Sequence, residues 1–404
     1  MTVTTLFTNT AQVITCETAD DSAVLPDGAV AVEDGVITTV GSAGELEARY
    51  GAAERVDCGG GVLTPGLVDS HTHAVFGRWR ADEYALRARG VPYMEIARQG
   101  GGINASVRDL RRRSEDDLVA LGRERLRDVL RLGTTTVEVK SGYGLTTADE
   151  LKMLRAIRRL DGESPLEVVA TFLGAHEVPP EYRDRRGAYV DLVIEEMIPA
   201  AADEGLARFC DVFMEPGVFN ASETRRILGA GLEHGLTPKL HADELEPSGG
   251  AELAAELGAA SADHLGAISD AGIEALAGSD TVATLLPGTL FFLGKTVYAP
   301  ARRLLDAGAE VALATDFNPG SSATPSLPLI LTIACSQMGM SPLEALVAAT
   351  RGGARALRLA DRGTLTAGSR ADLVVWDTAD YREIAYRYGV RLARSVWKGG
   401  REVA

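Results

Sequence analysis

His71 and His73 stand two residues apart in the run Pro65-Gly-Leu-Val-Asp-Ser-His-Thr-His73. On an extended segment, residues i and i+2 point to the same side. Two imidazoles placed so can reach one metal ion. Further histidines follow short apolar runs in the same manner: His176 in Gly174-Ala-His176, His241 at the head of His241-Ala-Asp-Glu244, and His264 in Ala262-Asp-His264. Asp316 ends another such run. A lone carboxylate behind an apolar strand is costly to bury, so Asp316 belongs with the histidines. Five of the chain's six histidines share this placement, and the joint pattern points to a metal centre. The sixth, His234, precedes Gly235 at an expected helix end, where a cation suits the helix dipole.

These residues need a scaffold that gathers strand ends. β-like runs end near Ser70, Val139, Phe172, Phe213, Leu240, Asp263, Leu286 and Ala314, with helical stretches between them. Thr147-Ala-Asp-Glu150 and Ser341-Pro-Leu-Glu344 carry helix-start signals. Eight βα alternations predict an α/β fold, a (β/α)8 barrel, whose active site lies at the C-terminal strand ends. No GxGxxG follows the first strand, which disfavours a doubly wound sheet. Both termini read as strands. Val30-Ala-Val-Glu and Val36-Ile-Thr-Thr-Val flank the hairpin pair Asp34-Gly35, and Ala371–Asp377 with Ser395–Val403 close the chain. The expected division is a small β-sandwich from residues 1–62 and 361–404 around a barrel of residues 63–360.

Composition excludes several classes. The 404 residues hold 57 acids against 41 bases, a net charge of −16, which argues against a nucleic-acid binder. Cys16, Cys58, Cys210 and Cys335 form no CxxC, so neither a disulfide framework nor a cysteine zinc site is expected. The longest uncharged stretch, 317–343, is broken by prolines, Pro319, Pro325 and Pro328 among them, and is no membrane span. No basic leader precedes Arg49, and the cytoplasm is the expected compartment.

The first-strand run Pro65–His73 resembles that of the amidohydrolase superfamily. More specific segments resemble the imidazolonepropionase family within it: Lys140-Ser-Gly-Tyr-Gly-Leu, Thr171-Phe-Leu-Gly-Ala-His, Lys239-Leu-His-Ala-Asp-Glu, Ala262-Asp-His-Leu and Ala314-Thr-Asp-Phe-Asn-Pro-Gly-Ser. The resemblance implies one zinc or iron ion per subunit, held by His71, His73, His241 and Asp316. It implies hydrolysis of a small anionic imidazolone, 4-imidazolone-5-propanoate, to N-formimidoyl-L-glutamate in histidine catabolism. Glu244 and His264 then resemble the acid/base pair, with Asp316 sharing proton traffic. Arg80 resembles the residue that holds the propionate carboxylate, which a guanidinium fork matches. Tyr143, His176 and Glu244 resemble substrate contacts, and Asn318, Gly320 and Ser321 the loop at the product's glutamate end. A homodimer is the family-level expectation.

Some readings stay open at this stage. Arg78 competes with Arg80. His264 could orient a ligand, and another amidohydrolase acting on a cyclic amide or a nucleobase, or a non-enzymatic scaffold, is the alternative function. Lys140 falls on the second strand and no lysine ends the fourth, so a single metal is preferred to a pair bridged by a modified lysine. Glu215 reads as polar lining, and Arg111-Arg-Arg113 as a solvated face.

Overall fold

The computed structural model describes residues 4–91 and 93–404. Two sheets organise the chain. The first is built from both termini: β1 (Thr4–Ile14), β2 (Val24–Pro26), β3 (Gly28–Glu33), β4 (Val36–Ser42) and β5 (Glu54–Pro65) join β14 (Leu373–Trp376), β15 (Ala393–Lys398) and β16 (Arg401–Glu402). Its order is β16-β15-β14-β5-β1-β3-β4, with β2 on β1. The β3–β4 hairpin turns at Asp34 and Gly35, both at positive φ (49° and 79°), as a tight two-residue turn requires. Phe7, Val30, Leu63 and Val375 pack one face; Leu6, Ala31 and Leu46 pack the other under the helix Ala43–Arg49.

The second sheet is the barrel. Eight parallel strands follow each other in chain order: β6 (Leu67–Asp69), β7 (Thr134–Lys140), β8 (Glu167–Ala175), β9 (Phe209–Met214), β10 (Thr237–Ala242), β11 (Ser261–His264), β12 (Val282–Leu285) and β13 (Val311–Leu313). Backbone bonds between the first and last segments bring the sheet round on itself: Asp316 N donates to His71 O (3.0 Å) and His73 N to Phe317 O (2.9 Å). The expected α/β architecture is the one observed, with each strand end within two or three residues of its expected position.

The helices between strands follow their caps and apolar stripes. In Glu115–Arg131, Ser114 and Asp117 form a capping box, acids fill the first turn, and Arg131 closes the last. Its buried stripe includes Leu118, Leu126 and Val129. At Gly122 a Cβ would come within 2.5 Å of Leu160 Cδ1, so any larger residue there would make Leu160 of helix Thr147–Glu163 shift. Arg125 lies in the same stripe and donates to the carbonyls of Ala74, Phe76 and Gly77, fixing the loop after β6. One expected cap is displaced by a residue. Thr146, not Thr147, accepts from Asp149 N, and Glu150 turns inward instead. Ser341 and Glu344 form the expected box. Trp376 of β14 ties the two sheets together by laying its ring against Gly133, just before β7, while its indole donates to Thr64 Oγ1 on the neighbouring β5 (2.8 Å).

Candidate active site

The residues singled out by spacing converge at the C-terminal mouth of the barrel. His71 and His73 follow β6, Tyr143 follows β7, His176 follows β8, His241 lies in β10, His264 ends β11, and Asp316 follows β13. The ring centroids of His71 and His241 are 4.6 Å apart, and those of His71 and His73 are 5.3 Å apart. Asp316 Oδ1 lies 3.6 Å from His71 Nε2 and 3.5 Å from His73 Nε2. His71 Nε2 and His241 Nε2 are buried without a hydrogen-bond partner among the described residues. Buried polar atoms almost always have one. Bare imidazole nitrogens beside a carboxylate oxygen are what a divalent cation needs, so these residues fit a metal ion. Among the described residues two compact donor triads are present, His71–His73–Asp316 and His71–His241–His264. His264 differs from the rest in facing Glu244, whose Oε2 lies 3.6 Å from its Nε2.

The Nδ1 atoms of His71 and His241 are engaged. His71 Nδ1 donates to Asp263 Oδ2 at 2.6 Å, and His241 Nδ1 donates to Asp211 at 3.1–3.2 Å. Each contact fixes the tautomer and leaves Nε2 bare for a ligand. Neither Asp211 nor Asp263 was expected to matter, although Asp263 lies inside the segment that carries His264.

Burial dominates the electrostatics. It holds His71, His73 and His264 well below the usual histidine range, so their imidazoles are neutral donors. Burial also lowers His241, but Asp211 outweighs it and raises the group. Burial pushes Glu244 up to about 8, assisted by the charge of Asp316, and Asp316 up to about 6. For Asp211 burial pushes upward, but His241 and Lys140 pull the carboxyl well below its ordinary value.

Arg80 is 6% exposed and lies against the Asp316–Ser321 loop; a Cβ on Gly320 would sit 1.4 Å from its Nη2. Arg78 instead reaches solvent, 3.5 Å from Asp82. Asn318 folds the loop on itself: its Oδ1 accepts from Gly320 N and Ser321 N (both 2.8 Å), and its Nδ2 donates to Ser321 Oγ (2.9 Å). His176 stacks on His73 at 5.1 Å, and its Nδ1 bonds Gly142 O. Tyr143 lies 5.4 Å from His176 and 5.9 Å from His73. Thr289 donates to Asp316 Oδ2 at 2.5 Å, a partner the sequence did not suggest.

Buried carboxylates hold the loops that bear these groups. Glu215 accepts from the amides of Glu244, Leu245 and Glu246. Glu150 accepts from Gly142, Gly144 and Leu145 around Tyr143, and Asp69 from Thr315 beside Asp316. Arg111 is not a solvated side chain: it donates to the carbonyls of Gly144 and Leu145 and pairs with Glu181. Positive φ at His264 (79°) and Leu265 (60°) stores strain where β11 delivers its histidine.

Comparison with known proteins agrees with this geometry. The amidohydrolase family model matches residues 62–403, and a bacterial imidazolonepropionase-like composite domain matches residues 28–53. The chain is 50% identical to an imidazolonepropionase of Geobacillus thermodenitrificans, over 99% of this chain and 95% of that protein. It is 51% identical to one of Symbiobacterium thermophilum, over 95% and 92%. Among solved structures, a zinc-bound adenosine deaminase of Xanthomonas campestris matches with a TM-score of 0.72 at 22% identity, covering 98% of this chain and 92% of that one. The ochratoxinase of A. niger matches at 0.73 and 17%, covering 100% and 96%. These two likenesses concern the fold.

Proposed function

The chain belongs to the amidohydrolase family and, within it, to the imidazolonepropionases; on that premise we propose how its residues divide the work. The enzyme hydrolyses the cyclic amide of 4-imidazolone-5-propanoate to N-formimidoyl-L-glutamate in histidine degradation. A divalent metal belongs to this chemistry. The reading assigns one zinc or iron ion per subunit to His71, His73, His241 and Asp316. Such an ion supplies Lewis acidity that brings the pKa of a water to about 7. The bare Nε2 atoms of His71 and His241 are the observation that carries the assignment.

Glu244 holds and releases a proton near neutral pH, because burial and Asp316 raise its carboxyl to about 8. It takes the proton of the attacking water, and His264 beside it orients the carboxyl. The proton then goes to the ring nitrogen as the C–N bond opens. Asp316 shares this traffic through its free lone pairs. Arg80 grips the propionate, with Tyr143 and His176 against the ring; Asn318, Gly320 and Ser321 receive the glutamate end of the product. An anionic substrate suits a buried guanidinium in a chain of net charge −16. Lys140 Nζ lies 3.0 Å from Glu138 and 2.8 Å from Asp211, surroundings that favour an ammonium over an anionic carbamate and so a one-metal centre. A homodimer and a cytoplasmic setting complete the reading; no helix among the described residues is long and apolar enough to cross a membrane.

The test is direct assay with 4-imidazolone-5-propanoate, before and after chelation and metal return. Turnover should vanish on chelation and return with Zn(II) or Fe(II). Full turnover by His241→Ala after exhaustive chelation would refute the ligand assignment.

A further inference from the structure

The interior of a (β/α)8 barrel is ordinarily packed with branched apolar side chains. Below and beside the histidines this barrel instead holds Glu138, Lys140, Asp211, Lys239 and Asp263, all 0% exposed. Such a layer is weak as a source of stability, since burying charge costs about what pairing returns. Its contacts run toward the site. Lys140 Nζ reaches Asp211 Oδ2 at 2.8 Å, Glu138 Oε1 at 3.0 Å and Asp263 Oδ2 at 3.6 Å. Lys239 Nζ reaches Glu138 Oε1 at 3.0 Å and donates to Ser70 O at 2.8 Å, next to His71. Thr171 donates to Glu138 and Ser261 to Asp263. Asp211 and Asp263 are the two carboxylates that receive Nδ1–H from His241 and His71.

We infer that Lys140 is a positioning residue for the metal centre: it clamps Asp211, so that His241 is held with Nε2 toward the ion. The register agrees. Lys239 pairs with Asp211 one inward row below His241, and Asp263 pairs with His241 itself, so the two carboxylates flank the ligand row from below and from the side. Lys140 stands two residues beyond Glu138 on β7, on the same face. A through-space charge effect would work in the opposite direction, because removing a nearby cation would tighten the hold on a divalent ion. Clamping predicts a looser hold. The inference rests on the ligand set proposed above.

The test is a cycle of Lys140→Met, Asp211→Asn and the double variant, in the full chain freed of metal and titrated with Co(II). Affinity comes from chelator competition and ligand geometry from the visible absorption of Co(II). Lys140→Met should bind Co(II) about 10- to 100-fold more weakly, as loss of an outer-shell partner typically does, with an altered band. If Lys140 acts through Asp211, the double variant binds no worse than Asp211→Asn. The double also keeps the net charge of the layer, so this comparison stands even where Lys140→Met alone does not fold. Unchanged or tighter Co(II) binding in folded Lys140→Met overturns the inference, as does a further tenfold loss from Asp211→Asn to the double. His241→Ala is the control for the ligand set. Wild-type Co(II) binding by that variant would bring down the ligand reading, and this inference with it, whatever the cycle shows.

Discussion

Gly320→Ala is the sharpest probe of the substrate end of the site. Its φ lies outside the left-handed region, so alanine is conformationally acceptable there. The obstacle is Arg80: the new Cβ would lie 1.4 Å from Nη2 and 2.3 Å from Cζ, where ordinary contact begins at 3.4 Å. The guanidinium must therefore move by about 2 Å, which breaks a hydrogen bond of normal length. A charge-assisted bond is worth about 1.5–3 kcal/mol. At ~1.4 kcal/mol per decade, Gly320→Ala should lower kcat/KM for imidazolone propionate by about 10- to 150-fold. Metal content should stay at the wild-type level. Arg80→Met should cost a similar factor, and the two losses should not multiply, because both remove one interaction. Steady-state kinetics on the four proteins of the cycle decide it. If Gly320→Ala stays within twofold of wild type, or if the double variant shows the product of the single losses, Arg80 is not the group that holds the substrate carboxylate. Arg78→Met, at an exposed position, should leave kcat/KM within about twofold, as surface changes usually do.

Three further outcomes are expected. Glu244→Gln should keep its metal and lose kcat by about 10² or more; wild-type turnover in the metal-replete variant would remove Glu244 from the chemistry. Metal analysis should give about one ion per chain, and less after His71→Ala; two per chain would overturn the single-ion reading. Acid stability should depend on Glu167, which burial pushes up but which Arg362, Lys398 and Arg370 hold below its ordinary value. A depressed carboxyl contributes stability above its unfolded pKa of about 4.3, and that stability is lost as pH falls through the lower folded value. Glu167→Gln should therefore cost about 1–3 kcal/mol near neutrality and flatten the decline of the melting temperature below pH 4.3; parallel profiles for the two proteins would count against the linkage.

The architecture was legible because it rests on period and punctuation. The eight apolar runs mark eight inner strands, and Asp34-Gly35 marks a hairpin that does have both residues at positive φ. Where sequence reading slipped, a second use of the residue was the reason. Glu150 looks like the third member of a capping box, but its carboxylate satisfies three loop amides around Tyr143, and the cap passes to Thr146 and Asp149. Arg111 looks like part of a basic surface run, but the end of its helix brings it to the carbonyls of Gly144 and Leu145.

The site divides along the same line. Histidines at strand ends announce themselves, since few other roles place imidazoles there. The groups that aim them do not. Glu138 sits between two valines, Asp211 between Cys210 and Val212, Lys239 between Pro238 and Leu240, and Asp263 after Ala262, so each alone resembles an interruption of an apolar run. The i, i+2 spacings Glu138/Lys140 and Lys239/His241 place a charge one inward row beneath a site residue, and that was the available signal. What a single sequence lacks is the lateral dimension. Asp211 meets Lys140, and Asp263 meets His71, only after four strands close side by side. The compensation that makes five buried charges tolerable is therefore a property of the closed barrel, and no segment of the chain read by itself contains it.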